Sequence, residues 1–316
     1  MQTILGSGGA IGKPLALELA KYTGNVRLVA RNPQKVNATD ELFPADLTNK
    51  ELVDAAVKGS EVVYLAAGLE YKLSVWQRDW PRIMENVIEA CVRHKASLVF
   101  FDNVYMYAPE EIPHMTEKSR VNPCSEKGKV RATLEKMIFD ATRDRQLHAL
   151  IARSADFYGP AIKTSMLKMI VVDNFLKGKK AMWQMDATKI HSFTNTEDAA
   201  KATAQLGNTP DAYGQVWHLP TSPEKLTGRE FIEMIAAMMG TKPRYTILNR
   251  TMCTILGIFI PVLRELKEMM YQNDRDYFFD SSKFEQRFGW GATPYRQGIK
   301  VMVEDALKEK AQSQGQ

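Results

Sequence analysis

The stretch GSGGAIG, residues 6–12, stands between the apolar run TIL and the amphipathic run KPLALELAKY. Three glycines three residues apart at that place constrain the fold more than any other feature of the chain. Glycine lets backbone turn sharply and approach a ligand closely, and a helix that follows begins with N–H groups that have no internal acceptor. Strand, glycine turn and helix in that order open a βαβ unit that takes a pyrophosphate at the helix N-terminus. Gly6, Ser7, Gly9, Ala10, Ile11 and Gly12 are therefore the expected dinucleotide-binding loop.

The loop heads an alternating pattern. QTIL, VRLVA, EVVYLAA, SLVFF and LHALIAR are short and apolar, several of them β-branched or aromatic, which predicts buried strands. Between them KPLALELAKY, NKELVDAAVKG and RIMENVIEACVRHK read as helices. In the first, Ile11, Leu15 and Leu19 recur every four residues, and Pro14 falls in the opening turn. This alternation predicts a parallel sheet with helices on both faces. After Gly159 the rhythm loosens. SMLKMIVVDNFLKG, EDAAKATAQLG and TGREFIEMIAAMMG are expected helices, the last capped by Thr227, and KAMWQM, IHSFTN and QVWHLP are expected strands. The remainder to about Phe279 reads as helical and Met-rich.

A chain of 316 residues has room for one or two domains with a full core. The net charge of +5 is spread along it, which fits an anionic small molecule and not a nucleic-acid reader's dense basic stripe. Cys91, Cys124 and Cys253 stand at unrelated spacings, so neither a disulfide framework nor a metal site is expected. The late apolar stretch TMCTILGIFIPVLREL is broken by Pro261, too soon to span a membrane. A strand beginning within two residues of the start leaves no place for a signal peptide, and a cytoplasmic, reducing location is the expectation.

The end of the second strand bears on the choice of dinucleotide. A βαβ unit that takes NAD places Asp or Glu there for the ribose 2′-hydroxyl. This chain reads LVARN, with Ala30 at that place and Arg31 beside it. Alanine removes the charge that repels a 2′-phosphate, and a guanidinium can clasp one. NADP, as NADPH, is the expected cofactor and NAD the second choice. Lys13 and Lys35 are candidate helpers, and the competing reading is a solvated arginine at a strand end.

With these residues in view, the chain resembles the short-chain dehydrogenase/reductase superfamily, in its extended and atypical branches often labelled NAD-dependent epimerase/dehydratase. ADLTN resembles the acidic position after the third strand, where Asp46 is implied to meet the adenine amino group with Leu47 beside the ring. VVYLAAG is similar to the fourth strand, whose Ala66, Ala67 and Gly68 are implied to pass along the cofactor. NVIEAC carries the helix asparagine, Asn86, with a structural role. RSADFYGP, HSFTNTEDAAKA and DSSKFEQRFGW resemble later family segments in the right order. The implied fold is α/β: a Rossmann-type doubly wound parallel sheet with a small, discontinuous α-rich substrate lobe. The expected division assigns 1–160, with returning segments about 188–219 and 276–290, to the NADP-binding domain. About 161–187, 220–275 and 291–316 form the substrate lobe. Many relatives dimerise through the helices of the fourth and fifth strand region, so a homodimer is compatible but not demanded.

The family's catalytic residues are a Ser or Thr after the fifth strand and a Tyr-x-x-x-Lys on the next helix. Here Asp102 and Asn103 take the place of the serines, and Asn103 is counted among the implied cofactor contacts. With Glu135 aligned on the family's helical Glu, the Tyr/Lys pair becomes Lys127 and Arg131. Three explanations stand. The enzyme uses substitutes, with Arg131 holding the nicotinamide ribose and Tyr105, Tyr107 or Lys127 supplying the proton. Or the hydride acceptor is an activated C=C or C=N bond that needs little side-chain acid. Or the protein binds NADP(H) without turnover, as a regulator.

The bland readings are as definite. Tyr105 and Tyr107 share a face in extended chain and serve packing, Tyr158 is a turn residue, and Lys127 and Lys129 are a solvated helix start. His114 belongs to a loop, whereas His191 and His218 are either core or substrate-lining residues. Trp76, Trp80, Trp183 and Met182 make the substrate lobe apolar, while Lys163, Lys168, Arg250 and Arg264 are the cations available for a sugar-nucleotide diphosphate. The expected activity is hydride transfer to or from a small hydrophobic carbonyl or enone compound. A sugar-nucleotide epimerase or dehydratase is the alternative enzyme.

Overall fold

The computed structural model describes residues 1–162, 164–256 and 261–314. Its strands are β1 (Gln2–Leu5), β2 (Val26–Ala30), β3 (Glu41–Pro44), β4 (Val62–Leu65), β5 (Ser97–Asp102), β6 (Ala149–Arg153), β7 (Asp156–Tyr158), β8 (Ala181–Gln184), β9 (Phe193–Asn195), β10 (Val216–His218) and β11 (Tyr245–Leu248). Its α-helices are α1 (Gly12–Leu19), α2 (Lys50–Val57), α3 (Leu73–His94), α4 (Glu126–Asp144), α5 (Asp173–Leu176), α6 (Thr196–Gly207), α7 (Gly228–Met238), α8 (Arg250–Leu256), α9 (Pro261–Lys267), α10 (Ser282–Phe288) and α11 (Tyr295–Gln314). No described helix is long and apolar enough to cross a membrane.

Two compact units divide the chain. One comprises 1–106, 121–154 and 199–219, and holds a seven-stranded sheet in the order β10-β6-β5-β4-β1-β2-β3. Every neighbouring pair in it is parallel. The apolar runs of the sequence supply the buried strands. β3 escaped that pattern because it lies at the sheet's edge with exposed or half-exposed side chains, so no apolar run marks it. Helices α2, α3 and α4 close the core with Val53, Ile83, Met84, Val87, Leu134 and Ile138 against Leu65, Leu98 and Phe100. The ends are set locally: Asn49 caps α2 by accepting the Leu52 N–H at 2.9 Å, and Ser125 caps α4 by accepting the Gly128 N–H at 3.0 Å. α3 runs through Pro81 and begins at Leu73, further upstream than its sequence pattern indicates.

The second unit comprises 107–120, 155–198 and 220–316. It carries two small parallel pairs, β7 with β9 and β8 with β11. β11 corrects the expectation of an all-helical stretch here: YTIL has β-branched and aromatic residues at the right density for a strand, and β8 offers it an edge. Thr227 caps α7 as expected, in a reciprocal box with Glu230.

Buried phenols give both units an alkaline limit. Burial pushes Tyr64 in the first unit, and Tyr158 and Tyr295 in the second, above the ordinary tyrosine range. The unfolded chain then loses its phenol protons first, so this stability is complete below about pH 10 and is lost as pH rises through the higher folded values. We expect the thermal midpoint to fall between about pH 9 and about pH 11, and less steeply in Tyr64→Phe. An unchanged midpoint across that range refutes the assignment.

Candidate active site

In the sheet, β1 lies between β2 and β4, so the strand order reverses there and opens a crevice at the carboxyl ends of the strands. The glycine loop occupies this place. Gly6 sits at φ +90°, and a Cβ on it would fall 2.3 Å from the Ala67 Cα. A Cβ on Gly12 would fall 2.0 Å from the Ser7 carbonyl oxygen, and one on Gly9 would fall 3.2 Å from that of Ala66. The loop therefore lies flat against Ala66 and Ala67, the chain that leaves β4. Ala10 is exposed at its tip, Gly68 has open space around it, and Ile11 anchors the loop in the core.

Two features fit a bound pyrophosphate. The first turn of α1 has no side-chain cap and no acidic residue, which leaves its N–H groups and positive end to a ligand. Ser7 Oγ is buried with no hydrogen-bond partner among the described residues. Gly6→Ala is expected to cost at least about 1–2 kcal/mol from the left-handed backbone alone, before the clash with Ala67. Gly8→Ala, with nothing within 4 Å of a new Cβ, should change stability by under about 0.5 kcal/mol. Urea unfolding of the two variants checks this, and equal midpoints would sink it.

On the β2–β3 side, Arg31 is exposed directly after β2. The Thr48 N–H and hydroxyl donate to Asp46 Oδ1 at 2.9 and 2.8 Å, and with the nearby Arg31 charge they hold the Asp46 carboxyl below its ordinary range. Leu47 is buried, and its carbonyl accepts from Asn86 Nδ2 at 3.0 Å, which is the structural role implied for Asn86. Lys13 is exposed, and Lys35 donates to the Ala38 carbonyl at 3.2 Å.

On the β5–β6 side lies a buried ionic box. Asp102 and Arg153 face each other across the register of β5 and β6. Arg131 Nε donates to Asp102 Oδ1 at 2.7 Å; Arg153 reaches Asp102 Oδ2 at 3.4 Å and Glu135 at 2.8 Å. The side chains of Asp102, Arg131 and Arg153 are at most 4% exposed. The Arg131 guanidinium carbon also lies 4.6 Å from the Trp80 ring centre and 4.9 Å from that of Phe100. Arg131 is thus bound to a carboxylate and packed against rings.

Lys127, Arg131 and Glu135 recur every four residues on the inner face of α4. Lys127 corrects the reading of a solvated helix start. It is fully buried, with Nζ 4.8 Å from the centre of the Tyr71 ring, whereas exposed Lys129 pairs with Glu126. Gly128 lets α4 approach the turn after β5, since a Cβ there would fall 2.3 Å from the Tyr105 carbonyl oxygen. In that turn Asn103 Oδ1 accepts the Tyr105 N–H at 3.0 Å and reverses the chain. Tyr105 and Tyr107 therefore do not share a face. Tyr105 is half-buried and stacks on Trp76 at 6.1 Å and 17°, while Tyr107 is fully buried in the second unit.

Other candidates have structural surroundings. Tyr158 is packed beside Tyr295, His191 stacks on Tyr277 at 4.3 Å with Nε2 2.9 Å from Asp156, and His218 is fully buried. His114 is exposed and pairs with Asp280. Trp76 and Trp80 belong to α3 in the first unit's core, which corrects their assignment to the substrate lobe; Trp183 is core in the second unit. Lys168 pairs with Asp173 and Glu309, Arg250 with Asp274, and Arg264 is exposed. Lys163 lies outside the described residues. Sequence reasoning missed Arg153 and Tyr71 as members of the site. The signal for Arg153 was its place at the end of a strand paired with Asp102, whereas Tyr71 lies in a loop whose path no spacing reveals.

Comparison with known proteins follows this geometry. No curated protein matches the chain. MoeE5, solved in complex with UDP-glucose and NAD, is 20% identical, covering 98% of this chain and 99% of its own, with a TM-score of 0.80. The UDP-glucuronic acid 4-epimerase of Bacillus cereus, in complex with NAD, is 16% identical over 98% of this chain and 99% of its own, with a TM-score of 0.80. DesIV, the dTDP-glucose 4,6-dehydratase of Streptomyces venezuelae, with NAD and TYD bound, is 15% identical over 99% and 98%, with a TM-score of 0.79. These likenesses are of fold. A family model matches residues 3–219, the glycine loop and the ionic box included, and by that match the chain belongs to the NAD dependent epimerase/dehydratase family.

Proposed function

We propose that the chain is an NADP(H)-dependent oxidoreductase of the atypical short-chain dehydrogenase/reductase type, moving hydride to or from a small hydrophobic carbonyl or enone compound with a non-standard proton relay. The observation that carries this reading is the backbone cradle of Gly6, Gly9 and Gly12 against Ala66 and Ala67, with its uncapped helix and orphaned Ser7 hydroxyl. A nicotinamide dinucleotide laid across it would have its adenine end by Asp46 and Leu47 and its nicotinamide end toward β5. When bound, it supplies the hydride. The chain's own residues hold it: α1 and the loop take the pyrophosphate, Arg31 the 2′-phosphate, and Asn103 lies on the nicotinamide side.

Arg131 and Asp102 neutralise each other, so we assign them to holding α4 against β5 and not to the ribose or the proton. Lys127 Nζ lies 4.8 Å from the ring centre of half-buried Tyr71, a ring that suits an apolar substrate.

The second reading, a sugar-nucleotide epimerase or dehydratase, is favoured by the UDP-glucose and TYD bound to MoeE5 and DesIV. Against it stand the carboxylate partners of Lys168 and Arg250. Titration of nicotinamide fluorescence with NADPH and NADH tests the cofactor. Assays of nicotinamide oxidation with carbonyl compounds and enones, against UDP-sugars, then separate the two enzymes. Failure to bind either dinucleotide would refute both and leave the regulatory role without support.

A further inference from the structure

Resting on the NADPH reading, we propose that buried Asp40, acting through Asn37, is a positioning residue for cofactor choice: it clamps the chain after β2 onto α1 and so fixes Arg31 where a 2′-phosphate is clasped. Residues 31–40 join the parallel strands β2 and β3 without a helix between them. Such a crossover ordinarily runs through a helix, whose own hydrogen bonds and apolar face hold it in place. This one is held by a carboxylate. Asp40 is 4% exposed, and its Oδ2 accepts the Val36 and Asn37 backbone N–H groups at 3.0 and 2.6 Å. Its Oδ1 accepts from Asn37 Nδ2 at 3.1 Å, and the Asp40 N–H donates back to the Asn37 carbonyl at 3.2 Å. The Asn37 side-chain amide also donates to the Ala16 carbonyl at 3.0 Å, which fastens the turn to α1. Hydrogen bonds to an ionised acceptor are about twice as strong as neutral ones, so this carboxylate makes the turn a firm point.

The firm point reaches Arg31 through a short, stiff stretch. On one side Arg31 follows β2, whose last carbonyl, that of Ala30, accepts the Ala45 N–H at 2.9 Å. On the other side Pro33 fixes its own φ and restricts Asn32 before it. Lys35 Nζ donates to the Ala38 carbonyl at 3.2 Å within the same turn. Ala16 lies about 6 Å along the axis of α1 from Gly12, at the end that takes the pyrophosphate in the proposed reading. One helix therefore sets both the pyrophosphate end and the chain that carries the clasp. An exposed arginine on a fixed backbone has fewer arrangements to lose when it meets a phosphate, and such preorganisation raises affinity without a new contact. The Asp40 charge works in the opposite direction, since a carboxylate near a bound phosphate repels it. Position and charge thus predict opposite signs for the loss of Asp40.

Dissociation constants of NADPH and NADH, from nicotinamide fluorescence with the whole chain, test the clamp. Asn37→Ala cuts the tie to Ala16 and leaves the Asp40 bonds to the two backbone N–H groups, so the turn itself can still form. In it NADPH binding should weaken about 3- to 10-fold and NADH binding by less than about twofold. Asp40→Asn drops the charge and keeps one acceptor oxygen, and it should also weaken NADPH more than NADH. Tighter NADPH binding in Asp40→Asn would make Asp40 a charge effect and overturn the proposal. Asn37→Ala added to Arg31→Ala should change NADPH binding by less than about twofold, because the positioned group is gone; an undiminished effect in that background overturns the proposal. Equal weakening of both dinucleotides would mean that the turn is merely structural, and weakening of neither that it positions nothing; each result overturns it. A wild-type chain that binds NADPH and NADH alike sinks the NADPH reading and takes the proposal with it. A wild-type preference for NADPH that survives both Asn37→Ala and Asp40→Asn sinks the proposal alone.

Discussion

Asp102→Ala is expected to lower the stability of the chain by about 3–5 kcal/mol, the range measured when one partner of a buried ion pair is removed. Asp102 serves two guanidinium groups, and its loss does not affect them equally. Arg153 keeps Glu135 at 2.8 Å, but Arg131 would be left with ring faces as its remaining described neighbours: Trp80, Phe100 and Trp76. A cation–π contact recovers about 0.5–2 kcal/mol, which does not offset desolvating a guanidinium. The Asn103 N–H, which donates to Asp102 Oδ1 at 2.8 Å, loses its acceptor as well. Against a typical total of about 5–15 kcal/mol, this is about a fifth or more of the stability. Urea unfolding of the purified variant measures it, and a loss under about 1 kcal/mol would show that the box is not closed.

The double variant Asp102→Ala with Arg131→Met separates the value of the pair from the penalty of breaking it. Met approximates the length of the arginine stem and brings no charge, so most of the Asp102→Ala loss should return. That recovery would mean the box is retained for what it positions and not for net stability. It ties the first two turns of α4 to β5, and those turns carry Lys127 and Gly128. Because breaking it shifts the Gly128–Tyr105 approach, dinucleotide binding should weaken in Asp102→Ala and return in the double variant.

The sheet was readable from the sequence because each buried strand is a separate apolar run and each helix has its own repeat. β3 and β11 were hidden for a physical reason: an edge strand with solvated side chains and a short strand in a second sheet need no long apolar run. The glycine loop was legible because its function depends on backbone, and only glycine satisfies φ +90° beside Ala67. The other end of the site was not. Asp102 and Arg131 are 29 residues apart, and nothing in their spacing says that they meet. Their types read equally well as catalytic substitutes or as a buried pair.

Arg31→Ala should remove the proposed preference for NADPH, raising its dissociation constant by about 10- to 100-fold while NADH changes by less than about threefold. A charge-assisted hydrogen bond to a phosphate contributes about 1.5–3 kcal/mol, and each 1.4 kcal/mol is a factor of ten. The competing term is Asp46, whose carboxylate interacts with the Arg31 charge and is held ionised by Thr48. That negative charge opposes a 2′-phosphate, so the lower half of the range is the better expectation. Asp46→Asn, which keeps an acceptor for Thr48 and drops the charge, should then tighten NADPH more than NADH. Salt provides an independent check: Arg31 is exposed, so raising ionic strength from about 0.05 to about 0.5 M should weaken NADPH binding more than NADH binding, and the difference should vanish in Arg31→Ala. If Arg31→Ala weakens both dinucleotides alike, Arg31 is a general phosphate contact. If it weakens neither, it is the solvated arginine of a strand end, and Ala30 alone marks where a ribose-binding acid is missing.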